Sequence, residues 1–481
     1  MNLKIGVFVA ALLGVAESAY AADLPNTKPA APPQPPTLAS CASPSDFVMT
    51  ACPLTYYGVT VYGMVDLGVG YQDHASPFNR YYGNGVNELI SKNSQGGHFQ
   101  PVPGAMGGSD GGVIGIKGAE PLAPGWTFVF NLAAGFDPYS MQFVNGARSL
   151  ADNNGLPLNL QNANGDSSRA GQWYNGAANF GVSSTTFGTL TFGRQNSLTL
   201  DGIIAYDPFS ASPAFSVIGF AGGLQGAGDT EDSRFNTSVK YRVNIGQFRI
   251  GAMAFGGGQK WENGADHGFE GQIGGDFDIG GGKLSLDAIY ARLYDAVFLS
   301  LLSASQNTAH PGTLAATIAD TENFMLLSKY AYGPVQVYAG FQRQIFMNPS
   351  SPQLNTFETL GGYYVIGADI TNNAYGSASA NSKILDVYWT GAKYALSSDL
   401  DVMAGFYHEY QHNYSVVPCS NSSNSKCSGS LDGISIAADW RFRPKFDVYA
   451  GVMFSEVNNG LSNGYLHHTS VDPTVGLRFT F

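Results

Sequence analysis

The feature that most constrains this chain is a set of long stretches in which apolar and polar side chains alternate. From Trp126 to Phe136 the even positions carry Trp, Phe, Phe, Leu, Ala and Phe, opposite Thr127 and Asn131. Side chains point alternately to the two faces of a strand, so each stretch predicts one apolar and one polar face. Similar stretches begin near Tyr57, Arg234, Phe269, Ile434 and Phe446. Their length matches the roughly 9–11 residues that cross a bilayer at a tilt, not the roughly five or six of an average strand.

The connections between these stretches alternate between short and long. Short turns are predicted near residues 121–125, 184–186, 244–246, 280–282, 333–334, 397–399 and 443–445. Long segments are predicted at 72–112, 137–171, 196–232, 256–268, 292–320, 343–382, 409–430 and 456–470. This alternation is typical of outer-membrane barrels, with turns in the periplasm and loops outside. It predicts an all-β fold: a transmembrane antiparallel β-barrel of about sixteen strands, with both ends on the periplasmic side.

Composition agrees with a barrel and disagrees with a bundle of membrane helices. Charged residues make up 12% of the chain, aromatic residues 13%, and the mean hydropathy is −0.06. No stretch approaches the ~18 consecutive apolar residues that a transmembrane helix needs. The formal net charge of −12, without a basic cluster, argues against a nucleic-acid-binding surface.

The last nine residues predict the closing strand of the barrel. One face carries Val475, Leu477, Phe479 and Phe481, and the other carries Thr474, Gly476, Arg478 and Thr480. A strand in lipid needs hydrogen-bonding partners on both sides, so the final strand has to pair with the first one. We expect Phe481 to lie on the lipid face.

The N-terminal region predicts export. Residues 1–21 combine Lys4, an apolar core and the small-residue site Ala19-Tyr20-Ala21, as in a secretory signal peptide. Residues 22–56 begin with a proline-rich stretch and predict an extended periplasmic segment. The barrel is expected to occupy residues 57–481.

The four cysteines predict two disulfides in an exported protein. Three pairings are possible, and we expect the local ones, Cys41–Cys52 and Cys419–Cys427. The first pair precedes the first strand on the periplasmic side, whereas the second lies in an outer loop. Cross-pairing would have to span the membrane.

Several motifs resemble known sequences. VYGMVD at residues 61–66, the stretch from GIKG at 115–118 to Phe136, and FGTLTFGRQ at 187–195 resemble parts of the general porins of Gram-negative bacteria. They correspond to the first strand, to the second and third strands, and to the fifth strand. The first strand and its preceding cysteines resemble the porins of rhizobia and related alphaproteobacteria. The resemblance implies a passive, water-filled, homotrimeric channel in the outer membrane. Its expected partners are outer-membrane lipid, lipopolysaccharide and small hydrophilic solutes, with no cofactor and no nucleic acid.

The resemblance also implies that the third loop, residues 196–232, folds into the barrel and narrows it. The loop contains large apolar residues, which would be unfavourable on an exposed outer loop but can pack against the inner wall. Among them are Phe209, Phe215, Val217, Ile218 and Phe220. Deleting residues 200–219 is then expected to raise conductance.

The expected constriction residues are Asp201, Asp207 and Arg194. Alternation points Arg194 toward lipid unless a bulge at Gly193 re-aims it. The family tends to carry acidic residues late in this loop. They are absent here, since residues 211–228 contain no Asp or Glu. Asp201 and Asp207 predict a modest preference for cations.

Further charged residues fall on the inward face of the strands. The expected pore-lining residues are Asp66, Lys117, Arg234, Lys240 and Arg242. The basic residues among them, together with Arg249, Arg441 and Arg478, have two interpretations. They form either a binding site or a polar wall whose positive charge is balanced by acidic residues.

One motif points to a different chemistry. His408-Glu409-Tyr410-Gln411-His412 matches the zinc-protease pattern H-E-x-x-H, which requires both imidazoles on one helical face. It follows a strand here, where positions four apart lie ~13 Å apart. We interpret it as a polar strand end, without a metal, and predict no enzyme activity.

The sequence therefore predicts a passive diffusion channel for small hydrophilic solutes and ions. The alternatives are a substrate-selective outer-membrane channel and, less favoured, an outer-membrane barrel enzyme or an adhesin with a plugged lumen.

Overall fold

The chain folds almost entirely into antiparallel strands. The computed structural model describes residues 40–74, 97–107, 111–139, 141, 173–174, 176–220, 234–256, 265–300, 314–350, 359–360, 363–367, 382–415, 418–420, 426–462 and 467–481. The predicted signal peptide and most of the proline-rich stretch lie outside these residues. Within them, no helix is long and apolar enough to cross a membrane.

Sixteen long strands in the described part of the chain form one closed barrel. They are β1 (Val59–Gln72), β2 (Gly112–Ala123), β3 (Trp126–Phe136), β4 (Ala177–Ser184), β5 (Gly188–Asn196), β6 (Arg234–Ile245), β7 (Phe248–Phe255), β8 (His267–Ile279), β9 (Gly282–Ser300), β10 (Leu314–Tyr332), β11 (Val335–Met347), β12 (Lys383–Ala395), β13 (Leu400–Gln411), β14 (Gly429–Arg443), β15 (Phe446–Asn459) and β16 (Thr469–Thr480). Each strand pairs with the next one, and β16 pairs antiparallel with β1. The prediction of a sixteen-stranded barrel is confirmed.

Shorter elements complete the described fold. The additional strands are Leu54–Tyr56, His98–Pro103, Thr359–Leu360 and Tyr363–Gly367, and the helices are α1 (Pro44–Met49), α2 (Leu198–Tyr206) and α3 (Val217–Phe220), with a 3-10 turn at Gly460–Ser462.

One rim of the barrel consists of tight turns. At the turn between β8 and β9, Gly280 and Gly281 have φ of +62° and +80°. Positive φ at both central residues suits a two-residue hairpin turn, and glycine adopts it without steric strain. The predicted short turns all fall on this rim, and the long connections fall on the opposite one.

The loop predicted at residues 292–320 is wrong in extent. β9 continues to Ser300 and β10 already begins at Leu314. A bulge between Leu293 and Ala296, with Asp295 at φ +53°, shifts the register there. The bulge breaks the alternation of side chains, so the sequence pattern ends before the strand does.

The outward and inward faces differ as the alternation predicts. On β10 the outward Phe324 and Leu326 are 41% and 47% exposed, whereas the inward Met325 and Leu327 are buried. The inward wall is polar on other strands, as at Gln342 and Gln344 of β11. On β9 and β10 it is apolar because another part of the chain covers it.

The end of the chain closes the barrel where β16 meets β1. Phe481 and Gly63 exchange two backbone hydrogen bonds of 2.9 Å. The Phe481 ring lies over Gly63, where the ideal Cβ position is 2.5 Å from ring atom Cζ. Phe479 stacks beside it at 5.3 Å between ring centroids. Glycine at position 63 thus makes room for the terminal ring on the outer face.

Both predicted disulfides, Cys41–Cys52 and Cys419–Cys427, are present. The second one lies in the connection between β13 and β14. The first one closes a ring of residues 41–52 that contains α1 and precedes β1. We call this ring, residues 41–52, the N-terminal clasp.

The N-terminal clasp holds the junction of β1 and β16. Phe47 packs edge-on against Phe479 and Phe481, with centroid distances of 5.9 and 5.5 Å. The Lys445 ammonium lies 4.1 Å from the Phe47 ring centroid. It also donates to the carbonyl oxygens of Phe47 and Cys52 at 2.9 and 2.8 Å.

Replacing Phe47 with alanine is expected to weaken the closure of the barrel. The substitution removes two aromatic contacts and a cation–π contact, which together amount to about 1–3 kcal/mol. The temperature at which the folded band disappears in heat-modifiability gels should fall. Val48→Ala is the matched control, because Val48 is 41% exposed on the same helix. An equal shift in both variants would contradict this role of Phe47.

Candidate functional site

The connection between β5 and β6 folds into the barrel and forms the candidate site. Ser197 caps α2, because its hydroxyl accepts a hydrogen bond from Leu200 N at 2.9 Å. Glu270 of β8 holds the same helix end: one carboxylate oxygen accepts from Leu198 N and the other from Thr199 Oγ1 at 3.1 Å. Negative charge at a helix N-terminus is favourable.

The C-terminal end of α2 is fixed to three further strands of the inner wall, β9, β10 and β12. The Tyr206 hydroxyl donates to Asp287 of β9 at 2.5 Å. Trp389 Nε1 of β12 donates to the Tyr206 carbonyl at 3.0 Å. Lys329 of β10 donates to the carbonyl oxygen of Ala205 at 3.1 Å. Side chains from four strands therefore anchor both ends of the helix.

Apolar packing holds the loop inside. Phe209, Phe215, Val217 and Ile218 are each at most 2% exposed, and each such buried side chain stabilises the packing by about 1.5–3 kcal/mol. They belong to one apolar cluster with the inner wall. Within residues 197–220 the loop packs against the inner wall, and residues 221–233 lie outside the described part.

Glycines on four neighbouring strands provide the seat for the loop. An ideal Cβ at each of them would lie 2.3–2.9 Å from a loop atom. Real Cβ contacts this short do not occur, so a side chain there would displace the loop. The pairs are Gly391 with Pro208, Gly405 with Phe209, Gly433 with Val217, and Gly451 with Phe215. We call these four residues the glycine seat.

A second segment, residues 97–107, also enters the barrel, although the sequence predicted an outer loop throughout 72–112. His98–Pro103 pairs with the outer half of β1. Ala105 and Met106 are then buried in the lumen. The Ala105 carbonyl accepts from the Ser212 hydroxyl and from Ala214 N, the latter at 3.2 Å. The run PVPGAMG at residues 101–107, small and apolar in an otherwise polar loop, is the signal that could have indicated this.

Asp201 carries a charge that two cations balance. Its carboxylate lies 2.5 Å from both Lys240 Nζ and Arg242 Nη2 of β6, and it accepts from Asn196 Nδ2 at 3.1 Å. Burial raises the pKa of Asp201, but Lys240 and Arg242 outweigh burial and hold it below its usual range. The structure thus brings together three of the predicted site residues, Asp201, Lys240 and Arg242.

Asp207 has a different environment. It is 1% exposed and accepts hydrogen bonds from the Tyr407 hydroxyl at 2.6 Å and from Ala211 N at 2.7 Å. Burial raises its pKa to about 6, against the lowering effect of the hydrogen bond from Tyr407. Asp207 therefore lies between the loop and β13, whereas Asp201, also buried, lines a cavity beside Arg242.

Arg194 lies at the expected bulge. The register of β5 shifts between Gly193 and Gln195, and Gly193 has φ of +115°. Arg194 is 3% exposed and donates to Asn236 Oδ1 at 3.1 Å and to the Arg234 carbonyl at 3.4 Å. Arg194 and the buried Arg234 are thus neighbours near the loop end of β6.

The remaining predicted lining residues lie on β1 and β2. Asp66 is fully buried beneath residues 97–107: it accepts from Met106 N at 3.2 Å and from the Tyr449 hydroxyl. The Lys117 ammonium lies 4.9 Å from the centroid of the Tyr62 ring. Asp66 therefore supports the second inward segment instead of facing open water.

The H-E-x-x-H stretch lies at the end of β13, as interpreted from the sequence: His408 to Gln411 are its last residues and His412 follows it. His408 Nδ1 is 2.6 Å from Asp432 and His412 Nε2 is 2.8 Å from Asp386, so each histidine has its own partner. Among the described residues, no group of histidine, cysteine and acidic side chains could hold a metal ion.

A closed sixteen-stranded barrel with an inward loop that narrows a charged lumen defines the class of outer-membrane channel barrels. A family model described as Gram-negative porin matches residues 9–460, and the chain belongs to this family. The family locates the protein in the outer membrane and indicates a channel rather than an enzyme.

Individual relatives agree with the family. An outer membrane porin protein of Bordetella pertussis is 28% identical over 185 residues, which is 38% of this chain and 39% of that protein. The anion-selective porin from Comamonas acidovorans has a similar fold, with a TM-score of 0.54 and 17% identity over 88% of this chain and 99% of that one. A trimer form of OmpT, an outer membrane protein of Vibrio cholerae, has a TM-score of 0.50 and 13% identity over 88% of this chain and 99% of that one.

Proposed function

We propose that this protein forms a water-filled channel through which small hydrophilic solutes and ions diffuse passively across the outer membrane. The observation that carries the proposal is the loop held across the lumen at both ends of α2. A cavity of about 400 Å³ remains beside it, lined by charged and polar groups. A polar lumen lets a solute keep most of its hydration, and fixed charges select among solutes. The mechanism involves no covalent step and no energy input.

Charges of both signs line the wall away from α2. Asp401 of β13 is bound by Lys393 of β12 at 2.6 Å and by Arg441 of β14 at 2.8 Å. Arg478 of β16 lies 3.3 Å from Asp439. These pairs support the proposal, because fixed ions favour hydrated solutes over apolar ones in a narrow passage.

The purified protein in planar bilayers tests this function. We expect stepwise current increases that are proportional to voltage in potassium chloride. Protein denatured by heat before addition is the control and should give none. Intact barrels that insert without conducting would contradict the channel and support the adhesin.

The oligomeric state and the lipid partner are part of the proposal. A homotrimer is supported by the family and by the trimer form described for OmpT. Light scattering of the detergent-solubilised protein tests the oligomeric state, and monomer alone would contradict the trimer.

Lipopolysaccharide contact is supported by Arg343, which binds Asp386 through two hydrogen bonds of 2.7 Å on the outward face. Arg343→Ala should lower thermal stability more in the presence of lipopolysaccharide than in its absence.

A further inference from the structure

A cavity of about 400 Å³ lies between α2 and the inner wall near the turn rim, where β6–β11 end. This volume is within the range of small-molecule sites. Four cationic side chains line it, Arg242, Arg249, Lys283 and Lys329. They come from β6, β7, β9 and β10 and point inward, since they alternate with outward residues such as Leu286.

The carboxylates of the cavity are already occupied. Asp287 binds Arg249 Nε at 2.9 Å through one oxygen, and its other oxygen accepts from the Tyr206 hydroxyl. Gln272 Nε2 donates to the first oxygen at 2.9 Å. An arriving cation would have to displace these donors to reach the carboxylate.

The same holds for the second wall carboxylate. Asp276 accepts from the Ser285 hydroxyl at 2.6 Å and lies 3.3 Å from Lys283 Nζ and 3.4 Å from Arg249 Nη1. The third carboxylate, Asp201, is bound by Lys240 and Arg242 as described above.

The cations, in contrast, retain donor capacity. Among the described residues, no acceptor lies within hydrogen-bonding distance of the buried Arg242 Nε. The Lys329 ammonium donates to a single backbone carbonyl, that of Ala205. The Lys283 side chain is 46% exposed and reaches the cavity with one long contact to Asp276. The unused groups are N–H donors, which suit an anion.

We propose that this cavity is a transient binding site for small multivalent anions, such as phosphate or a dicarboxylate, on their way through the lumen. The proposal rests on the channel function proposed above and deepens it by naming the solute class. Arg242, Lys283 and Lys329 bind the anion, because N–H donors on charged groups form the stronger hydrogen bonds to anionic oxygens. Arg249 is held by Asp287 and positions Tyr206.

The site lies beside α2, the helix that crosses the lumen. α2 forms one side of the cavity through Asp201, Ala205 and Tyr206. A multivalent anion that binds there would occupy part of the passage, and chloride would be excluded while it remained. Binding is therefore visible as a reduction of current, without any knowledge of the natural solute.

The experiment measures single-channel current in potassium chloride during titration with inorganic phosphate, and separately with succinate, at constant ionic strength. We expect a saturable decrease of current in the millimolar range. Lys329→Gln should raise the half-saturating phosphate concentration by about tenfold, since it removes a charged hydrogen-bond donor. Lys329→Arg should keep the decrease. Lys283→Gln, at a half-exposed position, is a second variant that leaves the anchoring of α2 intact.

Lys393→Gln is the matched control. It also removes one cation from the lumen, but Lys393 lies on β12, outside the cavity, and is paired with Asp401. It should leave the half-saturating concentration unchanged. Equal effects of Lys329→Gln, Lys283→Gln and Lys393→Gln would overturn the site and leave only a net-charge effect. Normal conductance with no decrease by either anion would also overturn it, while the channel function would stand. A decrease by phosphate alone, or by both anions, supports the site and separates phosphate from carboxylate chemistry. A protein that conducts no current at all would refute the proposed function instead.

Discussion

Deleting residues 200–219 is expected to raise the single-channel conductance several-fold. The deleted segment contains most of α2 and the four buried apolar side chains that hold the loop in the lumen. Without it, the passage widens to the distance between the inner walls, and ion flow through a wider aqueous pore meets less resistance. Single-channel recording in potassium chloride measures the change. Unchanged conductance in a barrel that still folds would mean that the constriction lies elsewhere.

The glycine seat allows the same test without shortening the chain. An ideal Cβ at Gly433 would lie 2.3 Å from Val217 Cγ2, so Gly433→Val should push the loop away from the wall and also raise conductance. Gly271→Val is the control: it lies on β8, and an added Cβ there has nothing within 4 Å. If both variants raised conductance equally, a general loosening of the barrel would explain the effect better than displacement of the loop.

Asp201→Asn is expected to shift ion selectivity toward anions, changing the ratio of chloride to potassium permeability by about two- to threefold. The carboxylate now balances Lys240 and Arg242 at 2.5 Å each. Removing its charge leaves two cations uncompensated in a narrow, weakly screened passage. The reversal potential in a potassium chloride gradient measures the shift. The cation preference expected from the sequence assumed that the carboxylates of the loop are unpaired. In the structure, the charge of Asp201 is balanced by Lys240 and Arg242.

Asp207→Asn is the matched control, since it makes the same charge change in the same loop. Its carboxylate is 1% exposed and bound to Tyr407 and Ala211. Selectivity should therefore stay unchanged, although the loop loses an anchor. An equal shift in both variants would show that the field of the whole loop matters more than the position of Asp201.

Acidification separates the two carboxylates as well. The pKa of Asp201 is lowered, so Asp201 stays ionised down to a pH below the ordinary aspartate range, and mild acid should not mimic Asp201→Asn. The pKa of Asp207 is raised to about 6, so Asp207 takes up a proton first. The change in reversal potential between pH 7 and pH 5 should therefore be the same in Asp201→Asn as in the unmodified protein.

The barrel could be predicted from the sequence because its strands obey a local rule. Alternation along β3 or β16 follows from the pleat of a single strand, and turn residues such as Gly280 and Gly281 set the hairpins. The motif around Arg194 identified the strand before the inward loop. Each of these signals lies within about ten residues of chain, so a pattern in the sequence is sufficient.

The interior of the site could not be predicted in the same way. Alternation places Glu270 and Asp287 inside the barrel, but not at the two ends of α2, because that depends on how the loop crosses the lumen. The inward Ile289 and Leu327 contradict a purely polar lumen, and they make sense only where α2 covers them. Residues 97–107 were missed for the same reason: their partner Ser212 is more than a hundred positions away. Such contacts follow from tertiary packing, which no local period encodes.

The N-terminal clasp has a consequence for the order of assembly. Phe47 packs against Phe479 and Phe481, and these two rings reach their positions only after the last strand has joined the first. The disulfide-closed ring can thus dock only on a completed cylinder. Before docking, Phe47 is separated from Phe479 and Phe481, and docking brings the three rings into contact. The clasp therefore adds its contacts late in folding, after the barrel has closed.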